Sequence, residues 1–284
     1  MINVLAIRVI VPSYPDFDFG CDDDEEEEDD DDDDVCFPMS VYGSVIARDH
    51  LDLKCVPLFR RSRQDAQLIA SEDQYLTLTG PHRGLVLFDG VYFEVDLKMK
   101  DDRQGHKDKQ LSKGLLVLDG VQLAPKLSNM QTTVQSLTLP SSSIRLCTVH
   151  IAYALVSHAV EATISVEHLN QGGHFCGEIT ACTSTIQDSI VLHDCNFAAA
   201  GVMAAHGNGH SIPLLRRVMA VSLDEMLVVT IVAQAGDGVN YSRRTIDFTP
   251  AVNGGEEAQI VCGVTSLLVK VNWSLMSPVI DQKY

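Results

Sequence analysis

Five side chains, His174, Cys176, Cys182, His193 and Cys195, are of the types that ligate a transition metal. On a strand, residues i and i+2 share a face. His174 with Cys176, and His193 with Cys195, would each present two ligands together, and neighbouring strands could complete a tetrahedral zinc site. The spacing matches no zinc motif, however, and cysteine is among the commonest fillers of an ordinary core. The turn His206-Gly207-Asn208-Gly209-His210 offers two more imidazoles, either as a metal-binding loop or as a plain surface turn. The expectation is a chain with no metal and no cofactor.

Nucleophilic catalysis has no anchor. Gly-x-Ser-x-Gly and His-Glu-x-x-His are absent, and neither Gly207-x-Gly209 nor Gly236-x-Gly238 continues into a phosphate-binding pattern. No catalytic residue is assigned. Arg60, Arg61 and Arg63 form a small basic cluster that would serve an anion or simply solvate a strand end.

Residues 22–34 are thirteen consecutive carboxylates. A calcium loop needs turn residues and backbone carbonyls at fixed spacing, which an unbroken acidic block does not supply. Such a block repels itself, buries nothing and reads as a disordered loop over 12–35. Asp22, Glu25, Glu28, Asp31 and Asp34 are the residues through which it would meet a basic protein partner, by long-range attraction that salt weakens. The competing reading is a solvating, low-complexity insertion. Removing the thirteen from 39 acidic residues leaves 26 against 21 basic ones, so the charge falls from −18 to −5. Neither part carries the basic stripe that a nucleic acid requires.

The rest of the chain must position whatever chemistry there is, and it reads as β structure. Between Thr79 and Lys98, Val91, Phe93, Val95 and Leu97 alternate with Tyr92, Glu94, Asp96 and Lys98, the period of a strand with one buried face. Asp89-Gly90 predicts a hairpin joining this strand to residues 85–88. Further strands are expected at 1–11, 41–47, 55–59, 75–78, 115–118, 178–180, 189–193, 217–222, 226–233, 245–248 and 267–273, with a charged loop at 100–113. Residues 149–156, almost wholly apolar, could by themselves be a helix, but beside the clear strand pattern of 160–167 the two read as a central and an outer strand paired to each other. Turns are expected at Gln171-Gly172-Gly173, Gly236-Asp237-Gly238 and Asn253-Gly254-Gly255. Many short strands with little helical periodicity predict an all-β protein, an antiparallel β-sandwich or open barrel. The organisation expected is a single β-rich domain over 36–276, in which 124–143 either divides two domains or crosses between sheets, with a tail at 277–284.

No stretch approaches twenty uninterrupted apolar residues, which argues against integral membrane association. Eight irregularly spaced cysteines without a C-x-x-C pair suit reduced thiols. The expectation is a soluble protein of the cytoplasm or nucleus.

Three blocks carry a family resemblance. They are Val41-Tyr42-Gly43-Ser44-Val45 leading into Ala47-Arg48-Asp49-His50-Leu51-Asp52, then the Thr79 to Lys98 segment, then Leu268-Val269-Lys270-Val271-Asn272-Trp273-Ser274. Together they resemble a domain of unknown function expanded in grasses, which also forms the C-terminal portion of cereal jasmonate-induced ribosome-inactivating proteins. The resemblance spans nearly all of residues 36–276 and implies a link to stress or defence. An N-glycosidase site of such proteins would need Glu and Arg one helical turn apart, backed by Trp and two Tyr. Here Glu161-Ala162-Thr163-Ile164 lacks the Arg and sits in a strand pattern, and Trp273, the one tryptophan, lies in a C-terminal strand. The reading that follows is a non-enzymatic interaction module. Its alternatives are an accessory or enzymatic part of a translation-inhibiting system, and a calcium- or lipid-responsive β-sandwich binder.

Overall fold

The computed structural model describes residues 1–12, 35–103, 106–127, 134–142, 145–169, 175–195, 211–234 and 241–276. The alternation read from the sequence becomes pleated strands with one buried face. In β5 (Gly90–Met99), Val91, Phe93, Val95 and Leu97 are buried while the residues between them are partly exposed. The strand pairings are antiparallel, and the four sheets do not close into a barrel.

The first core lies between two sheets. One holds β1 (Ile2–Ile10), β7 (Val134–Leu139) and β8 (Thr148–Leu155) in the order β1-β8-β7. The other holds β2 (Met39–Asp49), β3 (Val56–Arg61), β5 and β6 (Lys109–Asp119) in the order β3-β2-β5-β6, with the short β4 (Gln67–Ile69) paired to β2. Ile7, Phe59, Phe93 and Ile151 are fully buried between them. Each such side chain contributes about 1.5–3 kcal/mol of burial.

The second core is built in the same way. One sheet comprises β9 (Ala159–His168), β12 (Val218–Ser222), β15 (Asn253–Cys262) and β16 (Thr265–Ser274), ordered β12-β9-β16-β15. The other comprises β10 (Gly177–Thr183), β11 (Ile190–Asp194), β13 (Leu227–Gln234) and β14 (Tyr241–Phe248), ordered β11-β10-β13-β14. Val229, Ile231, Phe248, Val269 and Trp273 pack inside. A short helix, α1 (Gly120–Leu127), follows β6.

Several expectations change on contact with this topology. Residues 85–88 form no hairpin with β5, whose neighbours are β2 and β6. Instead the Ile2 amide donates to the Leu85 carbonyl and the Val86 amide to the Asp49 carboxylate, so local turn propensity yields to tertiary partners. Residues 149–156 and 160–167 are both strands but do not pair: β8 belongs to the first core and β9 to the second, and the chain crosses between them at Val156, Ser157 and His158. Residues 75–78 contribute one bridge, Tyr75 to Arg8, rather than a strand. The expected loop at 100–113 is shorter, because β6 begins at Lys109. Asn253-Gly254-Gly255 opens β15 instead of forming a turn.

Two of the three blocks of the family resemblance meet in the fold. Asp49 at the end of β2 is fully buried, and its two oxygens accept from both terminal nitrogens of Arg83 at 2.8 Å. Arg83 also donates to Asp52 at 2.6 Å. The first block thus clamps the second through a bidentate ion pair. The third block is β16, which pairs with β9 and β15 and carries Trp273 into the second core.

A cleft between two sandwiches

The two cores are joined by polar contacts from the edges of their sheets. Asn3 on β1 donates to the Ala220 carbonyl and accepts from the Ala220 amide on β12, both at 2.8 Å. Glu161 on β9 accepts from the Gly84 amide of the first half and from the Thr163 hydroxyl. Glu161, which an N-glycosidase site would have needed for catalysis, is therefore occupied in joining the two halves.

Beside this seam lies a cleft of about 690 Å³ lined by both halves. Its first wall is the outer face of the β1-β8 pair. Ala6 lies opposite Ala152 and Arg8 opposite His150, while Ile7, Val9 and Ile151 point inward to the first core. The register shifts between Val4 and Ala6, a bulge that re-aims Leu5 so that it packs against the second core and lines the cleft. Residues 74–78 form the second wall. The Leu76 amide donates to Ile7, and the Gln67 side chain holds the segment by donating to the Tyr75 carbonyl and accepting from the Thr77 amide. The third wall comes from the second half: Asp188, Ser189 and Val191 at the edge strand β11, with Leu215 and Arg216 beside it.

Arg216 is 3% exposed. One of its terminal nitrogens donates to the Val4 carbonyl at 2.6 Å, at the bulge, and its Nε has no partner. Burial alone pulls its pKa down to about 10, so the guanidinium stays charged at neutral pH. The Nε of Arg8 is likewise buried and unpartnered. Among the described residues, no carboxylate lies within ion-pair distance of either arginine. Asp73 and Asp188, the two acids of the lining, are exposed. Of the lining hydroxyls, Ser189 donates to the Gln187 carbonyl, and none is bonded to a histidine or carboxylate among the described residues.

The expected site residues fare differently. Asp22, Glu25, Glu28, Asp31 and Asp34 lie outside the described residues, as do His174 and the His206 to His210 turn. Cys176 and Cys195 are brought together, sulfur to sulfur at 3.4 Å. His193 turns inward, with Nδ1 against the Pro213 carbonyl and its ring edge against Phe175, and Cys182 is buried further along β10. No group of three or more His, Cys, Asp or Glu is placed to hold a metal ion among the described residues. The basic cluster divides: Arg61 pairs with Asp65 and Arg63 with Asp108, while Arg60 is exposed. Arg8, His150 and Arg216 escaped the sequence reading. The one signal was Arg8, a charge within an apolar first strand that alternation places on the outer face.

No helix among the described residues is long and apolar enough to cross a membrane. No curated protein matches the sequence. Among solved structures, the two calcium-bound C2 domains, A and B, of extended synaptotagmin 2 are similar at 9% identity and a TM-score of 0.27, covering 96% of this chain and 97% of that one. Human GIVD cytosolic phospholipase A2 is similar at 8% identity and a TM-score of 0.22, covering 95% of this chain; the chain spans about a third of its length, 32%. Residues 30–271 match the family described as Domain of unknown function (DUF6598), and the chain belongs to that family.

Proposed function

We propose that this chain is a non-enzymatic binding module that takes a small molecule in the cleft between its sandwiches. The observation that carries the reading is the cleft itself. Its volume of about 690 Å³ falls within the roughly 300–1,000 Å³ typical of small-molecule sites. Leu5, Leu76, Leu78, Val191 and Leu215 supply apolar walls, and a few polar groups converge among them. Those groups are chiefly hydrogen-bond donors rather than a nucleophile paired with a base, which favours recognition over turnover. Loops and outer sheet faces carry the binding, as they do on many sandwich scaffolds.

The test uses a neutral apolar fluorophore, N-phenyl-1-naphthylamine, with the intact chain. Saturable binding that is lost when Ala152→Trp fills the cleft, at an unchanged urea midpoint, supports the reading. Equal binding by the filled variant overturns it. Ala6→Phe, on the facing strand, serves if Ala152→Trp does not fold.

The resemblance to jasmonate-induced proteins supports placing this binding in stress or defence. The acidic run at 22–34 supports a second contact, with a basic protein, because it accounts for most of the net charge of −18. Affinity capture with and without residues 22–34, at low and high salt, tests that contact: identical partner sets would remove it.

A further inference from the structure

We infer that the ligand of this cleft is a small organic anion with an apolar body, its acidic group held by Arg216 and Arg8. The inference rests on the cleft being the ligand site and adds the class of ligand.

Arg216 presents five N–H donors in a rigid fork that matches a carboxylate, sulfonate or phosphate. It is almost wholly removed from water, yet among the described residues its only hydrogen bond is to the neutral Val4 carbonyl. A buried charge left without a counter-charge is strongly disfavoured, and proteins ordinarily neutralise it with an acid. Among the described residues no carboxylate is within ion-pair distance of it, and deprotonation does not relieve the cost, since its pKa stays about 10. The remaining source of a counter-charge is the cleft that Arg216 lines. Arg8 adds a second cation from the β1 wall, with a buried Nε that is also unspent. The two arginines come from different sandwiches, so an anion between them would also bridge the halves.

The rest of the lining sets the body of the ligand. Leu5, Leu76 and Leu215 bury apolar surface next to the arginines. Asp73 and Asp188 are the negative groups of the lining; both are exposed and neither pairs with an arginine, so solvent weakens their repulsion of an incoming anion. His150, opposite Arg8 on β8, is the other titratable group on this wall. An apolar molecule with one acidic head fits this lining better than a bare inorganic ion.

The experiment compares two dyes that share one skeleton: 1-anilinonaphthalene-8-sulfonate, which carries the anion, and N-phenyl-1-naphthylamine, which lacks it. The readout is the ratio of their affinities for the intact chain, with folding checked by urea denaturation. Wild type is expected to prefer the sulfonate at least tenfold. Arg8→Met should lower that preference at least fivefold, and Arg216→Lys, which keeps the charge but loses the fork, should lower it too. Among the described residues Arg8 makes no bond across the seam, so its variant separates anion binding from a purely structural role of Arg216 as a strut to Val4. Equal affinity for both dyes, or a preference untouched by both substitutions, overturns the anion proposal while leaving the cleft as a ligand site. If neither dye binds, or if Ala152→Trp leaves binding of both unchanged, the cleft reading fails with it.

Discussion

Asn3 and Ala220 exchange two hydrogen bonds at 2.8 Å, so that one side-chain amide completes the backbone of a strand in the other sandwich. Both residues are buried. Ala220 pairs with Glu161 through β12 and β9, and Glu161 in turn accepts from Gly84, so β1, the Gly84 segment and two strands of the second half meet in one network. Asn3→Leu removes both partners of Ala220 and strands a buried N–H and C=O. Each such group costs about 1–3 kcal/mol. The expected outcome is a drop in unfolding free energy on the order of 2–4 kcal/mol, measured by urea denaturation. A change below about 0.5 kcal/mol would show that water replaces the asparagine and that the seam is loose.

The Asp49–Arg83 pair makes a second, independent prediction. Asp49 has no exposure and accepts three hydrogen bonds, from the two Arg83 nitrogens and the Val86 amide. Asp49→Ala leaves the buried Val86 amide without an acceptor and takes from Arg83 its bidentate partner, and breaking a buried ion pair from one side costs about 3–5 kcal/mol. Asp52, which stays to pair with Arg83, should keep the loss near the lower end. Asp52→Ala, at a more exposed site, should cost about 0–1 kcal/mol. Similar losses for the two substitutions would refute the assignment of the clamp to Asp49.

Trp273 tests the second core. It is 4% exposed, opposite Ala162 on one side and Gly254 on the other. Trp273→Ala opens a large cavity and is expected to cost about 3–5 kcal/mol. Chemical denaturation followed by circular dichroism measures it, and a cost near zero would mean that the indole is not packed.

Much of the strand content was legible because burial imposes a period. Val160, Ala162, Ile164 and Val166 are buried while Thr163, Ser165 and Glu167 are not, and one pass over the letters shows this. The partners of each strand were not legible, because period-2 alternation says which face is buried but not against what. The β8–β9 crossing shows this well: a short connector suits a hairpin, yet here it carries the chain from one core to the other. β15 was hidden for a different reason. As an edge strand with Gly254, Gly255, Glu256 and Glu257 exposed, it is held by its ladder to β16 rather than by an apolar face. The cleft was the least legible feature. Arg8 and Arg216 are remote in sequence, and only the packing of two sandwiches brings both to one cavity.

Acid should weaken the β5–β6 end of the first sandwich. The Arg63 guanidinium, with the Tyr42 hydroxyl, holds Asp108 far below the usual carboxylate range, and Arg103 holds Asp101 at about 2. Both folded values lie below the unfolded value of about 3.9. Their contribution is therefore fully present above pH about 4 and shrinks as pH falls below it, the Asp101 part being lost as pH falls through about 2 and the Asp108 part lower still. In urea titrations at several pH values, Asp108→Asn should be less stable than wild type at pH about 6, with the gap narrowing steadily as pH falls below about 4. A gap that is constant across this range would show that Asp108 acts through neutral hydrogen bonds alone. Tyr42→Phe should reproduce part of the effect, since its hydroxyl donates to Asp108 at 2.6 Å.

Cys176 and Cys195 are placed to form a disulfide under oxidant. Their sulfurs are 3.4 Å apart, just before β10 and just after β11, and Cys176 is exposed. A disulfide bond is about 2.05 Å long, so closing the gap needs a shift of little more than 1 Å. With hydrogen peroxide as the oxidant, the two thiols lose two electrons and two protons as the S–S bond forms, and the peroxide is reduced to two waters. The hydrogen bond to Cys195, reinforced by burial and by the Cys195 and Asp194 charges, raises the Cys176 pKa above the ordinary thiol value. The thiolate is the attacking form, so the reaction should be slow at neutral pH and accelerate as pH rises. Peptide mapping after peroxide treatment is expected to show Cys176 linked to Cys195, with buried Cys147 and Cys262 still reduced. Cys176→Ser should abolish the cross-link. Equal oxidation of Cys36 and Cys55, which are exposed as well, without the 176–195 bond would show that exposure rather than pairing decides the chemistry.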